Sequence, residues 1–301
     1  MRTGTRVCGL ERIALVVHPT RPIDGALATL REWAEERGAA LLQPPVVGGA
    51  RRQVAPDGDL GRGDLVVALG GDGTVLSALR AAAPLEAPVL GVSCGSLAAL
   101  TAVSADGLAA ALDRFVAGDW TPRRLPALEI RPDDGPKAWA VNDFVVVRRR
   151  AAQVITEVTV DDELYARLAG DGLIVASPLG SSAYSMAAGG PVLVLGTPAI
   201  VCTPLPMHGG NAPPLIVPNT STLRVTVQPG FGGFDVEVDG HLQDLEARGY
   251  DLRLHHEKLT LVTFGRPGLG LTMLRERGLI ADSPRVLARD RQAQPLPRSV
   301  R

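Results

Sequence analysis

Lysine is nearly missing from this chain. Of its 31 basic residues only Lys137 and Lys258 are lysines. Neither stands in a G-x-x-x-x-G-K-[ST] run, which excludes a phosphate loop of the Walker type. Cysteine is scarce too: Cys8, Cys94 and Cys202 are far apart and odd in number. That excludes a disulfide framework and a C-x-x-C metal site, and a reducing cytoplasm is the expected compartment. Charge of one sign is lacking, with a net −1 over 301 residues. The chain therefore has no general attraction for nucleic acid or acidic membranes. No apolar stretch is long enough to span a bilayer, since Pro and Gly interrupt the most apolar region, 191–205. Residues 1–12 hold arginines but no apolar core, so no secretory leader is expected.

What is present points to a folded α/β protein, 46% apolar and long enough for two domains. Over the first ~120 residues strand and helix signals alternate, as in a parallel sheet. Strands are expected at 13–17, 39–42, 65–69 and 89–92. Helices are expected at 24–37 (stopped by Gly38), at 75–83 (stopped by Pro84) and around Leu108, Leu112 and Phe115. Residues 51–63 read as a surface loop. From Trp120-Thr121-Pro122 the hydrophobic period changes to two, with strands at 125–130, 138–147, 154–160, 173–176, 223–227, 234–238 and 259–264. The expected organisation is an α/β domain over 1–121 with a parallel sheet, then a β-rich, sandwich-like domain over 122–266. A segment over 267–284 follows, and then a disordered tail over 285–301.

Four clusters carry the chemistry. The first is Gly70-Gly71-Asp72-Gly73-Thr74, directly behind the apolar strand 65–69. A glycine-rich strand-to-helix turn offers free N–H groups to phosphate oxygens. Asp72 would repel a phosphate but suits a metal ion or a nucleophilic hydroxyl; alone, the run also fits a plain turn. The second is Asn142-Asp143, a polar pair inside an apolar strand. It reads as a bulge or as an amide and carboxylate for ligand hydroxyls or an adenine edge. The third runs from Asp171 to Pro191 through Ser181, Ser182, Ala183, Tyr184 and Ala187. Its small side chains suit either the approach of a large flat ligand or a tightly packed buried helix. The fourth, Asp239-Gly240-His241, reads as a hairpin turn more readily than as a site. Arg148, Arg149 and Arg150 read as a solvated strand end.

Taken together these clusters resemble the NAD kinase family. GGDGT is followed by Val75-Leu76, the Asn-acid pair is Asn142-Asp143, and the long D-G…P-x-G-S-[ST]-A-Y-S…A-G-G-P run spans 171–191. Order and spacing agree over roughly residues 10–280. The resemblance implies a kinase that transfers a phosphoryl group from ATP, or from polyphosphate, to the 2′-hydroxyl of the adenosine ribose of NAD. It makes Asp72 the residue that orients and deprotonates that hydroxyl, with Gly71, Gly73 and Thr74 on phosphate oxygens. It places Asn142, Asp143, Asp171, Ser182, Ala183, Tyr184, Ala187 and His241 around the dinucleotide. It further implies Mg²⁺, a homo-oligomer, and a chain end, 271–279, that returns to the first domain.

The chain departs from the family pattern at several positions. Ser93 stands for an asparagine, Ala98-Ala99 for a Gly-Phe pair, Leu179 for a hydroxyl residue, Pro213 for an arginine and His241 for a glutamine. An aromatic lost at Ala99 and a hydroxyl lost at Leu179 would enlarge and dry part of the acceptor pocket. These departures leave open another nucleotide, nucleoside or specialised-metabolite hydroxyl as acceptor. Two other readings compete. Lipid kinases also carry GGDGT, but the 171–191 run has no place in them. A non-catalytic dinucleotide sensor would tolerate the substitutions but not require Asp72.

Overall fold

β1 (Arg12–Val17), β2 (Ala40–Leu42), β3 (Leu65–Gly70) and β4 (Pro88–Ser93) form a parallel sheet in the order β4-β3-β1-β2. All six residues of β3 are buried, because helices cover both faces. Ile13, Leu15, Leu65, Val67 and Leu69 face α1 (Asp24–Arg37) and α3 (Leu108–Val116). Ala14, Val16, Val66 and Ala68 face α2 (Asp72–Ala82). The strand period of two thus sorts an unbroken apolar run onto two helical layers. α1 stops at Gly38, which takes the left-handed conformation at φ 68°. The computed structural model describes residues 9–45, 52–95, 98–244, 247–265, 271–276 and 278–293.

The glycine turn is shorter than the sequence suggests. α2 starts at Asp72, three residues before the expected position, with Gly71 as its extended N-cap. Thr74 and Val75 donate their N–H groups to the Gly71 carbonyl at 3.0 and 3.1 Å. An aspartate in the first turn favours this start, since it faces the positive end of the helix dipole.

The period-two half is a sandwich. Strand Gly249–Thr263, which begins ten residues before the expected position, joins it to the first half. Its C-terminal part lies parallel to β4, and its N-terminal part pairs antiparallel with Leu223–Pro229, followed by Val154–Val160 and Glu163–Gly170. Thr121–Pro132 runs antiparallel along almost its whole length. The second sheet is antiparallel, in the order Leu215–Pro218, Ala199–Pro204, Gly172–Ala176, Asp143–Arg148, Phe234–Val238, His241–Gln243. Leu128, Val158, Val225 and Leu252 of one sheet pack against Phe144, Val146, Leu173 and Val175 of the other.

The single strand expected over 138–147 is two strands. Ala138–Ala140 pairs in the first sheet with Thr121–Pro132, and Asp143–Arg148 sits in the second. Val141-Asn142 is therefore where the chain steps between sheets. Strands Glu163–Gly170, Ala199–Pro204 and Leu215–Pro218 were not expected. The first and last lie at sheet edges, where polar residues and proline are tolerated and blur the alternation.

Residues 1–267 form one compact unit and 268–301 a second. The expected boundary at 121/122 falls at the start of strand Thr121–Pro132, inside the first unit. The second unit holds helices Leu271–Glu276 and Pro284–Ala293. The latter covers part of the stretch from residue 285 that the sequence marks as a tail. Proline is pre-organised for the first helical position, and Leu, Ala, Arg and Gln are good helix formers. Residues 294–301 lie outside the described residues. Among the described residues no helix is long and apolar enough to cross a membrane.

Candidate active site

Two loops and one helix build the glycine turn and its surroundings. β3 delivers Gly70 and Gly71 to the C-terminal edge of the sheet, where ligands meet open α/β sheets. A Cβ at Gly70 would stand 2.2 Å from Thr74 Oγ1, so glycine is required for the turn to close. Thr74 is buried against it and Gly73 is exposed. Asp72 is half-buried, and its Oδ1 accepts the Leu100 N–H at 2.8 Å. Leu100 comes from the segment after β4, which lies so close that a Cβ at Gly91 would meet the Leu100 carbonyl at 2.6 Å. The carboxylate is thus held by backbone from the turn that follows β4. Ser93 Oγ donates to the Gly95 carbonyl at 3.2 Å, and Ala98 and Ala99 are half-buried.

The second cluster is organised by Asp239, which reads in the sequence as a hairpin turn more readily than as a site. Its side chain is 2% exposed and accepts the backbone N–H groups of Val141, Asn142 and Asp143 at 3.0, 2.7 and 3.2 Å. These amides have lost their ladder partners where the chain steps between sheets, and the carboxylate satisfies them. Arg80 of α2 donates through Nη1 to the Val238 carbonyl at 3.0 Å and lies 3.7 Å from Asp239 Oδ2. Burial pushes the Asp239 carboxyl up, while the three amides and Arg80 pull it down. The net effect is a raised pKa, and the three amides and Arg80 offset part of the cost of burying the charge.

Asp143 is 5% exposed. Burial, then the charges of Asp239 and Glu237, push its pKa up to about 7. Asp171 pairs with Arg148. Tyr184 is exposed, and its phenol is raised by partial burial and by Glu237, Asp171 and Asp143 nearby. His241 is lowered by burial and by Arg80, against a raising effect of Asp239. The structure therefore brings Asn142, Asp143, Asp171, Tyr184 and His241 into one electrostatic neighbourhood, with Glu237 and Asp239 added.

The 177–184 segment is fitted to this cluster by buried hydroxyls. Ser177 Oγ donates to the Val141 carbonyl at 2.6 Å, and its N–H to the Asn142 carbonyl at 2.8 Å. A Cβ at Gly180 would stand 2.0 Å from the Asn142 carbonyl. Ser181 Oγ receives the Leu193 N–H at 2.8 Å, and Ser185 Oγ meets Thr203 Oγ1 at 2.8 Å. Ser182 and Ala183 are half-buried and Ala187 is exposed. Leu179 is part-buried against the core cluster that contains Val75, Leu79 and Trp139. Pro213 accepts a hydrogen bond from Tyr165 through its carbonyl.

α2 is common to both clusters. Its first residue is Asp72, and Arg80, eight residues on, lies about 12 Å along the axis at 1.5 Å per residue. Arg80 and Glu237 escape a reading of the sequence alone, and Asp239 reads there more readily as a turn. The usable signal for Arg80 was an arginine on the helix that carries the glycine turn.

The fold and site thus define a two-part nucleotide-binding phosphotransferase architecture: a parallel α/β layer with a glycine turn, and an antiparallel sandwich carrying a cluster of acidic side chains. A family model described as the ATP-NAD kinase N-terminal domain matches residues 52–120, and one described as the ATP-NAD kinase C-terminal domain matches 141–247. The NAD kinase of Heliobacterium modesticaldum is 42% identical over 182 residues, covering 59% of this chain and 64% of that protein. The NAD kinase of Solibacter usitatus is 36% identical over 225 residues, covering 71% and 77%. A solved yeast NADH kinase, complexed with NADH, superposes with a TM-score of 0.74 at 21% identity, covering 92% of this chain and 89% of that one. An NAD kinase from Archaeoglobus fulgidus in complex with ATP gives 0.65 at 21%, covering 90% and 100%. The chain belongs to the NAD kinase family.

Proposed function

We propose that this chain transfers the γ-phosphoryl group of ATP to the 2′-hydroxyl of the adenosine ribose of NAD, giving NADP. One observation carries the assignment of roles: α2 holds Asp72 at its head and, through Arg80 and Asp239, holds the Asn142-Asp143 corner of the sandwich. Donor turn and acceptor cluster are thereby parts of one rigid frame. Phosphoryl transfer depends mainly on positioning and charge stabilisation. Asp72, tethered by the Leu100 amide, orients the acceptor hydroxyl and takes its proton as general base. Gly71, Gly73 and Thr74 offer backbone at the helix head to phosphate oxygens.

In the acceptor cluster, Asn142 presents an amide from the inter-sheet step. Asp143, with a pKa of about 7, is available both as donor and as acceptor near neutral pH. Tyr184 supplies an exposed ring for a flat base, with Ser182, Ala183 and Ala187 small enough to admit it. Asp171 and His241 complete the polar rim.

Mg²⁺ belongs to this reading. Among the described residues no three metal-ligating side chains cluster. Mg²⁺ usually takes only one or two carboxylates together with substrate phosphates and water. At the glycine turn the ion would be held mainly by substrate phosphates and water, and it would supply neutralisation of phosphate charge, leaving Asp72 as the base. A cytoplasmic homo-oligomer completes the proposal; the buried free thiols of Cys94 and Cys202 support a reducing compartment.

A mass-detected assay with ATP, Mg²⁺ and a panel of NAD, NADH, nucleosides, nucleotides and sugars tests the reading. Phosphorylation confined to the dinucleotides is expected. Preferential turnover of another acceptor would give weight to Ala98-Ala99 as a changed acceptor contact.

A further inference from the structure

The loop after β1 carries a cation that neither the family comparison nor the sequence motifs assign. β1 and β3 are parallel neighbours, so their following loops leave the sheet at the same edge. His18, just beyond β1, donates its N–H to the Leu69 carbonyl at 2.9 Å. Its Nδ1 accepts the N–H groups of Thr20 and Arg21 at 3.2 and 3.1 Å, which folds His18-Pro19-Thr20-Arg21 into a tight turn. Arg52 clips the same turn from the other side, through Nη1 to the Arg21 carbonyl at 3.2 Å and Nη2 to Asp24 Oδ1 at 2.6 Å. Together these hydrogen bonds fix the backbone of an exposed loop.

They aim the Arg21 guanidinium at the phosphate turn. A Cβ built on Gly71 would lie 3.0 Å from Arg21 Nη1, and one on Gly95 would lie 4.0 Å away. The Arg21 charge acts on both His18 and Cys94. Among the described residues, no carboxylate or carbonyl receives a hydrogen bond from the guanidinium. Gly71 is the N-cap of α2, so this cation stands beside the positive end of a helix dipole. That placement is unfavourable in isolation and becomes favourable when an anion lies between the two.

We propose that Arg21 is the fixed cation that grips the donor's phosphates, with His18 as the positioning residue that holds its turn. In a chain with two lysines and no Walker lysine, a guanidinium fork supplies the charge and adds bidentate geometry. The proposal rests on the reading that the donor's phosphates lie at residues 70–74.

The test is calorimetric binding of ATP with Mg²⁺, and steady-state kinetics, on the full chain. Arg21→Ala should weaken ATP binding and raise KM for ATP by roughly 10- to 100-fold, the range for loss of a charge-assisted hydrogen bond. KM for NAD and the thermal midpoint should stay unchanged. Arg21→Lys should recover part of the loss, since it restores charge without the fork. Gly71→Ala, which sets a methyl against Nη1, probes the turn independently. If Gly71→Ala weakens ATP binding and Arg21→Ala does not, the role of Arg21 is wrong and the turn stands. If neither weakens it, the placement of the phosphates at the turn falls with it. A rise in KM for NAD alone would also overturn the proposal.

Discussion

Asp239→Asn should both loosen the molecule and cripple acceptor binding. Asp239 accepts three backbone amides where the chain steps from one sheet to the other, and it is a nearby anion for Arg80. The side chains of Arg80 and Asp239 are 12% and 2% exposed. The asparagine side chain keeps an oxygen for some of the amides, but its NH2 group faces other donors, and Arg80 loses its countercharge. Breaking a buried pair on one side costs about 3–5 kcal/mol. For a unit of this size 1 kcal/mol corresponds to about 2–4 °C, so the thermal midpoint should fall by roughly 6–20 °C. The same change frees Asn142 and Asp143, so KM for NAD should rise more than KM for ATP. Adding Arg80→Met to Asp239→Asn should recover part of the stability, because it removes the buried cation left beside a neutral side chain. Scanning calorimetry and two-substrate kinetics read both effects. A midpoint within about 2 °C of the parent, with unchanged KM for NAD, would refute the assignment of Asp239 as the organiser of the corner.

Asp143 gives a pH signature. Its pKa is raised from 3.8 to about 7 in the folded protein, so the native state binds more protons than the unfolded state between those values. Stability from this group is therefore complete below about pH 4 and is lost as pH rises through 7. The loss is at most ~4 kcal/mol for a shift of this size, and smaller if Asp143 and Asp239 share a proton. Asp143→Asn should flatten the fall in thermal midpoint between pH 5 and 8, and an unchanged slope would count against the shift. Gly180→Ala drives a methyl to 2.0 Å from the Asn142 carbonyl. It should displace the 177–184 segment, raising KM for NAD with little change in KM for ATP; unaltered kinetics would contradict the close fit of this segment. Leu179→Ser should lower the thermal midpoint, since the side chain packs with Val75, Leu79 and Trp139. A changed acceptor preference at unchanged stability would instead restore Leu179 as a pocket residue.

The order of elements in the first third was legible because a parallel layer writes itself as apolar runs alternating with helices, and β1, β3, β4 and α1 fall close to their expected places. The sandwich was legible as a class but not in detail. Edge strands such as Leu215–Pro218 bury little and show no clean alternation, and the Val141-Asn142 step between sheets reads in sequence as one continuous strand. The candidate site was legible where residues form runs. Asp72, Asn142-Asp143 and the 171–191 segment announce themselves by dense, unusual spacing. Arg21, Arg80, Glu237 and Asp239 do not, because none belongs to such a run and each gains meaning only through a contact distant in sequence. Asp239 is the sharpest case: a turn residue at φ 51° that also satisfies amides almost a hundred positions away.

The central claim is that Asp72 activates the acceptor hydroxyl from the head of α2. Its direct measurement is single-turnover phosphorylation of NAD by Asp72→Asn with saturating ATP and Mg²⁺. Asparagine is near-isosteric and keeps an oxygen for the Leu100 amide, so the fold and NAD binding should survive. The rate should drop by about 10²–10⁴-fold, the usual contribution of a general base. A variant that binds NAD normally and retains the full rate would contradict the account.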